Sequence, residues 1–99
     1  MRLSTRTQEI IRDTAKEVFG PDVTISVFGS RIDDETRGGD IDLVVQSDKL
    51  VPERQRKSLQ LVARLQIRLG DQPIDVLVID PNTVLEPVHE IALRTGVTL

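Results

Sequence analysis

The stretch VFGSRIDDETRGGDIDLVV, residues 27–45, decides how this chain is read. An apolar run ends on Gly29-Ser30, a polar segment follows, and a second apolar run opens with Asp40 and Asp42. Aspartate is a poor strand former and is costly to desolvate, so folding alone gives little reason for two of them there. Alternate side chains of a strand share a face. Asp40 and Asp42 therefore point the same way, with Cα atoms roughly 6.5 to 7 Å apart, and Ile41 and Leu43 face the core. Two carboxylates that close repel each other unless a cation lies between them. Mg²⁺ is the hard cation commonly held by one or two carboxylates together with substrate phosphates.

The flanking sequence supplies the frame. Residues 4–19 read as a helix capped by Ser4 or Thr5, with Ile11, Ala15 and Val18 on one face and Gly20-Pro21 as the stop. Residues 23–28 and 40–46 are rich in β-branched side chains and bounded by turn formers, as strands are. A second helix is expected over 52–69, with Pro52 in its first turn, Gly70 at its end and Leu59, Val62, Leu65 and Leu69 at helical spacing. Its other side carries Arg54, Arg56, Lys57, Arg64 and Arg68, a solvated face or a partner contact. Residues 73–79 form a third strand, and 87–95 a short helix stopped by Gly96. The expected fold class is α/β (α+β), a small mixed sheet flanked by helices in one domain over residues 1–99.

Within the third strand Asp75 interrupts an apolar run, with Ile74 and Val76 on the opposite face. If that strand lies beside residues 40–46, a third carboxylate joins the first two. Three carboxylates can hold two metal ions, the arrangement used in phosphoryl and nucleotidyl transfer. Gly29 lets the backbone approach a phosphate closely, and Ser30 offers N–H and O–H donors. Arg31 is either a bidentate phosphate contact or a surface partner of Asp33 or Asp34.

Composition narrows the function. The 99 residues carry a net charge of −3, only two Phe, and neither Tyr nor Trp, which argues against a direct nucleic-acid binder. The absence of Cys excludes disulfides and thiolate chemistry. No apolar run approaches the roughly 18 residues of a membrane span, and the N-terminal segment is charged throughout, so a cytoplasmic location is expected. His89, the only histidine, is far in sequence from the acids and is read as structural.

The pattern Gly29-Ser30, nine residues, then Asp40-Ile41-Asp42, with a later strand Asp75, resembles the DNA polymerase β-type nucleotidyltransferase superfamily, and specifically its minimal nucleotidyltransferases. The resemblance implies that Gly29 and Ser30 contact a nucleoside triphosphate, that Asp40 and Asp42 bind two Mg²⁺ ions, for which Mn²⁺ can substitute, and that Asp75 binds the ion nearest the acceptor hydroxyl. It departs where many relatives carry a further arginine and a glycine. Here Ile32-Asp33-Asp34 follows Arg31, and Arg37 is the nearest replacement. The resemblance further implies transfer of AMP from ATP to a tyrosine of a partner protein, a HEPN ribonuclease toxin for which the chain is the antitoxin. The alternative is a catalytically silent module that neutralises such a toxin by contact alone.

Overall fold

The computed structural model describes residues 3–29 and 40–99. Along them run α1 (Thr5–Phe19), β1 (Thr24–Phe28), β2 (Ile41–Gln46), α2 (Arg54–Leu69), β3 (Ile74–Ile79), α3 (Pro87–Thr95) and β4 (Val97–Thr98). The strands form one mixed sheet in the order β3-β2-β1-β4. β1 runs antiparallel to β2 and β4, whereas β2 and β3 are parallel and joined through α2. This is the expected α/β fold.

Local chemistry sets the ends of α1. Ser4, rather than Thr5, is the cap: its hydroxyl accepts the Thr7 N–H at 3.1 Å and so satisfies a donor that has no partner within the helix. At the other end Gly20, at φ +105°, donates its N–H to the Lys16 carbonyl. A side chain there would be strained, which is why the helix stops on glycine.

Strand alternation divides the molecule into two faces. Ile25, Val27, Ile41, Leu43 and Val45 are buried on one face against Ile11 and Ala15 of α1 and Leu61 and Leu65 of α2. On the other face α3 covers only a small cluster, Val44, Ile79 and Ala92, with Phe28 and Leu77 half-buried at its margin. One face is thus closed by two long helices, whereas among the described residues the other is covered only in part, by α3. No helix among the described residues is long and apolar enough to cross a membrane.

Two sequence expectations are corrected here. α2 begins at Arg54, not Pro52, because Glu53 just before it adopts the left-handed conformation at φ 57°. Its buried face is also rotated: Leu61 is fully buried while Leu59 is 71% exposed. At about 100° per residue Leu61 lies about 40° from Leu65 around the helix, and Leu59 about 120° away. The apolar spacing alone fits both phases, and the contact with α1 selects one. The two-residue strand β4 is an addition that the sequence reading did not contain.

Polar contacts fix α2 at both ends. Near its C-terminus Arg68 donates to the buried Thr14 hydroxyl at 2.6 Å and to Glu17 at 2.9 Å, and Arg64 joins the same carboxylate at 3.3 Å. Both arginines hold Glu17 below the usual carboxylate range, the Arg68 hydrogen bond most strongly. Near its N-terminus Arg54 donates to Thr83 at 2.7 Å and lies 3.6 Å from Asp80. Asp80 also accepts the N–H groups of Val51 and Asn82 at 3.0 Å, and its pKa is lowered chiefly by the Val51 hydrogen bond.

The core on the closed face makes a direct prediction. Leu43→Ala empties a fully buried position on the central strand and should destabilise the fold by about 2 to 5 kcal/mol, read as a lower urea midpoint at unchanged slope. That is a large share of the roughly 5 to 15 kcal/mol typical of a domain.

Candidate functional site

Strand register brings the acids together. β2 and β3 pair in parallel with Asp42 directly beside Asp75, one strand spacing of about 4.8 Å away. Asp40 immediately precedes β2 and is exposed, as is Asp75, whereas Asp42 is half-buried. The alternation that buries Ile41 and Leu43 against α1 and α2 turns Asp42 and Asp75 to the open face. Asp42 and Asp75 are thus placed there by the apolar neighbours that flank them.

Among the described residues the acids act on one another as like charges. The pKa of Asp42 is raised, first by desolvation and then by the charges of Asp75 and Asp40. No Lys or Arg among the described residues forms an ion pair with any of the three. Nor do the described His, Asp and Glu residues present three side chains already gathered into a metal cage. The arrangement is an open, repulsive set that a cation would draw together. Hard oxygen donors without a cationic partner among the described residues fit a divalent ion that takes its remaining ligands from phosphate and water.

Gly29 follows β1 at φ +78°, a backbone conformation that favours glycine. A Cβ at this position would overlap the Asp42 carboxylate. Gly29 therefore has a second role besides the expected approach to phosphate: it leaves Asp42 its place. Ser30 and Arg31, and with them Arg37, lie outside the described residues.

The structure adds residues that sequence reasoning passed over. β1–β2 pairing sets Phe28 directly opposite Asp42 on the open face, so an aromatic ring does flank the acids. Only the strand register reveals it, and register is fixed by pairing between residues distant in the chain. His89 is structural, as expected: its Nδ1 accepts the Glu86 N–H at 2.9 Å at the start of α3. The basic side of α2 is far from free. Arg54, Arg56, Arg64 and Arg68 all have acidic partners within the chain.

With this geometry in view, comparison with known families is decisive. The nucleotidyltransferase-domain family matches residues 8–92 of the 99. The chain belongs to that family. The match takes in all three acids and Gly29, and it extends from α1 into α3. Nucleotidyl transfer is accordingly the chemistry of the fold, and domains of this kind use nucleoside triphosphates with divalent metals. No curated protein matches the chain.

Two predictions follow from the nucleotidyltransferase geometry. A carboxyl group whose pKa is raised on folding stabilises the native state below its unfolded value of about 3.9 and loses that contribution as pH rises through the folded value. Ionised Asp42 therefore opposes folding at neutral pH. Asp42→Asn should melt at the same or a higher temperature than wild type at about pH 7, with the gap closing towards about pH 4. A lower melting temperature at neutral pH would mean that the carboxylate makes an attractive contact instead. Gly29→Ala should displace Asp42 and weaken Mg²⁺-dependent ATP binding, measured by calorimetry, more than it lowers the melting temperature.

Proposed function

We propose that this chain transfers AMP from ATP to a tyrosine hydroxyl of a partner protein, and that it serves as the antitoxin of a HEPN ribonuclease. The observation that carries the transfer reading is the register of Asp42 beside Asp75, with the charge of Asp40 near enough to act on Asp42. Family membership supports nucleotidyl transfer in general. The acceptor and the partner rest on the resemblance to minimal nucleotidyltransferases and on two features of the chain. It has no tyrosine among its 99 residues, and the described acids lie on a face that α3 covers only in part.

The residues divide the work by position. Asp40, Asp42 and Asp75 would hold two divalent ions, which when bound supply charge to the phosphates and polarise the attacking hydroxyl. Gly29, with Ser30 after it, offers backbone close to the triphosphate. Phe28 borders Asp42 with an apolar edge that limits water on that side of the site. In the reaction the tyrosine oxygen bonds to the α-phosphorus, and the bond from that phosphorus to the pyrophosphate oxygen breaks. The leaving group departs with the electron pair, and the hydroxyl proton passes to the exposed carboxylate of Asp75. A partner surface closing over the open face would exclude water and align the hydroxyl, a contribution that a free acceptor in solution lacks.

The test is mass spectrometry of the chain with Mg²⁺ and ATP, alone and with a HEPN ribonuclease encoded beside it. The expected result is one or more AMP groups on a tyrosine of the partner, only when both proteins are present. Asp40→Asn and Asp42→Asn should lower the transfer rate on the order of 10²-fold or more while the fold persists. A tight complex without added mass would favour the contact-only module. Unchanged turnover in both aspartate variants would remove these residues from the site.

A further inference from the structure

We propose that Gln66, in the last turn of α2, is a positioning residue for the metal-binding acids: its side-chain amide clasps the segment ahead of β3 and so keeps Asp75 beside Asp42. The need for a clasp follows from the strand register. β2 and β3 begin to pair at Ile41 and Ile74, and the very next pair is Asp42 with Asp75. The two carboxylates therefore sit near the end of the ladder, where pairing opens most readily. Their repulsion pushes that end apart. β3 is the last strand of the sheet, and among the described residues β2 is its only strand neighbour.

Residues 70–73, between α2 and β3, close this end. The Pro73 carbonyl accepts the Ile41 N–H at 3.0 Å, a rung of the ladder immediately beside the acids. Gln66 Nε2 donates to the adjacent carbonyl, that of Gln72, at 3.2 Å. A carbonyl can only accept, so the nitrogen of the amide and not its oxygen faces it. The backbone carbonyl of Gln66 accepts the Gly70 N–H at 2.9 Å. One residue thus holds both ends of the turn, and the Gln72 side chain returns to the Leu69 carbonyl at 3.2 Å.

The clasp has a fixed base. Leu65, one residue before Gln66, is fully buried, and Arg68, two residues after it, ties α2 to Thr14 and Glu17 of α1. Gln66 is itself half-buried, where water competes less for its hydrogen bond than it does at an exposed site. The side chain therefore carries the rigidity of the two-helix layer to the one strand end at which the acids meet. It acts through the backbone of residues 72–75, which sets where the Asp75 carboxylate stands. This role serves the acids and their ions whichever hydroxyl accepts the nucleotide.

Hydrogen exchange of individual amides, at one fixed neutral pH, tests this. Gln66→Met keeps the length and helix propensity of the side chain and removes only the donor. In the metal-free protein it should speed exchange of the Ile41 amide about three- to tenfold, as expected for one partly buried hydrogen bond. Val45, further along the same ladder, should keep its wild-type rate. Asp75→Asn removes the repulsion, so in that background Gln66→Met should change the Ile41 rate by less than about twofold. Saturating Mg²⁺ with ATP should return the Gln66→Met rate towards wild type, because the ions neutralise the acids. An equal rise with and without the Asp75 charge would make Gln66 a purely structural clasp and overturn the proposal. So would an unchanged Ile41 rate, a rise at Val45 as large as that at Ile41, or a variant rate that Mg²⁺ and ATP leave high.

Discussion

The parallel pairing of β2 with β3 is the constraint on which the rest depends, because it holds two carboxylates one strand apart that would separate if free. At about 5 Å the repulsion between two unit charges is about 1 kcal/mol in water and about 3 kcal/mol at an effective dielectric of 20. Ile41, Leu43 and Val45 of β2 are fully buried on the reverse face, each worth about 1.5 to 3 kcal/mol. Burial therefore wins and the repulsion is retained as a local property of the site. The desolvated, raised carboxyl of Asp42 is its visible sign.

A site of this kind needs a rigid base. The closed face supplies it through α1 and α2, locked together by Glu17, Arg64, Arg68 and Thr14. Asp80 does the same at the opposite end of α2, collecting the Val51 and Asn82 N–H groups together with Thr83 and Arg54. Its lowered pKa means that this stabilisation is present above the unfolded value of about 3.9 and is lost as pH falls through the folded one. These contacts also explain the abundance of arginine on α2: the cations tie elements of the fold together.

The open face has a different character. α3 is only nine residues long and buries Ala92 over Val44, so Phe28 and Leu77 remain half-exposed next to the acids. A nucleoside triphosphate with its ions, as nucleotidyltransferase domains use, needs such room. Gly29 keeps the approach clear, since any side chain there would meet Asp42. One glycine thus serves both the backbone turn and the carboxylate position.

The sequence by itself determined the three helices and the three longer strands, the alternation that separates Asp42 from Ile41 and Leu43, and the place of Asp75 within a strand. Those properties follow from periods of two and 3.6 residues and from turn formers, all local in the chain. Tertiary structure decided what depends on partners distant in sequence. It set Asp42 against Asp75 and Phe28 against Asp42 through strand register. It turned Leu61 rather than Leu59 into the core, because α1 packs on that side of α2. It gave Arg64 and Arg68 to Glu17, and it added β4 beside β1, a pair too short for its own sequence to announce. Apolar spacing leaves the phase of a helix open by a fraction of a turn, and only the surface it meets can choose.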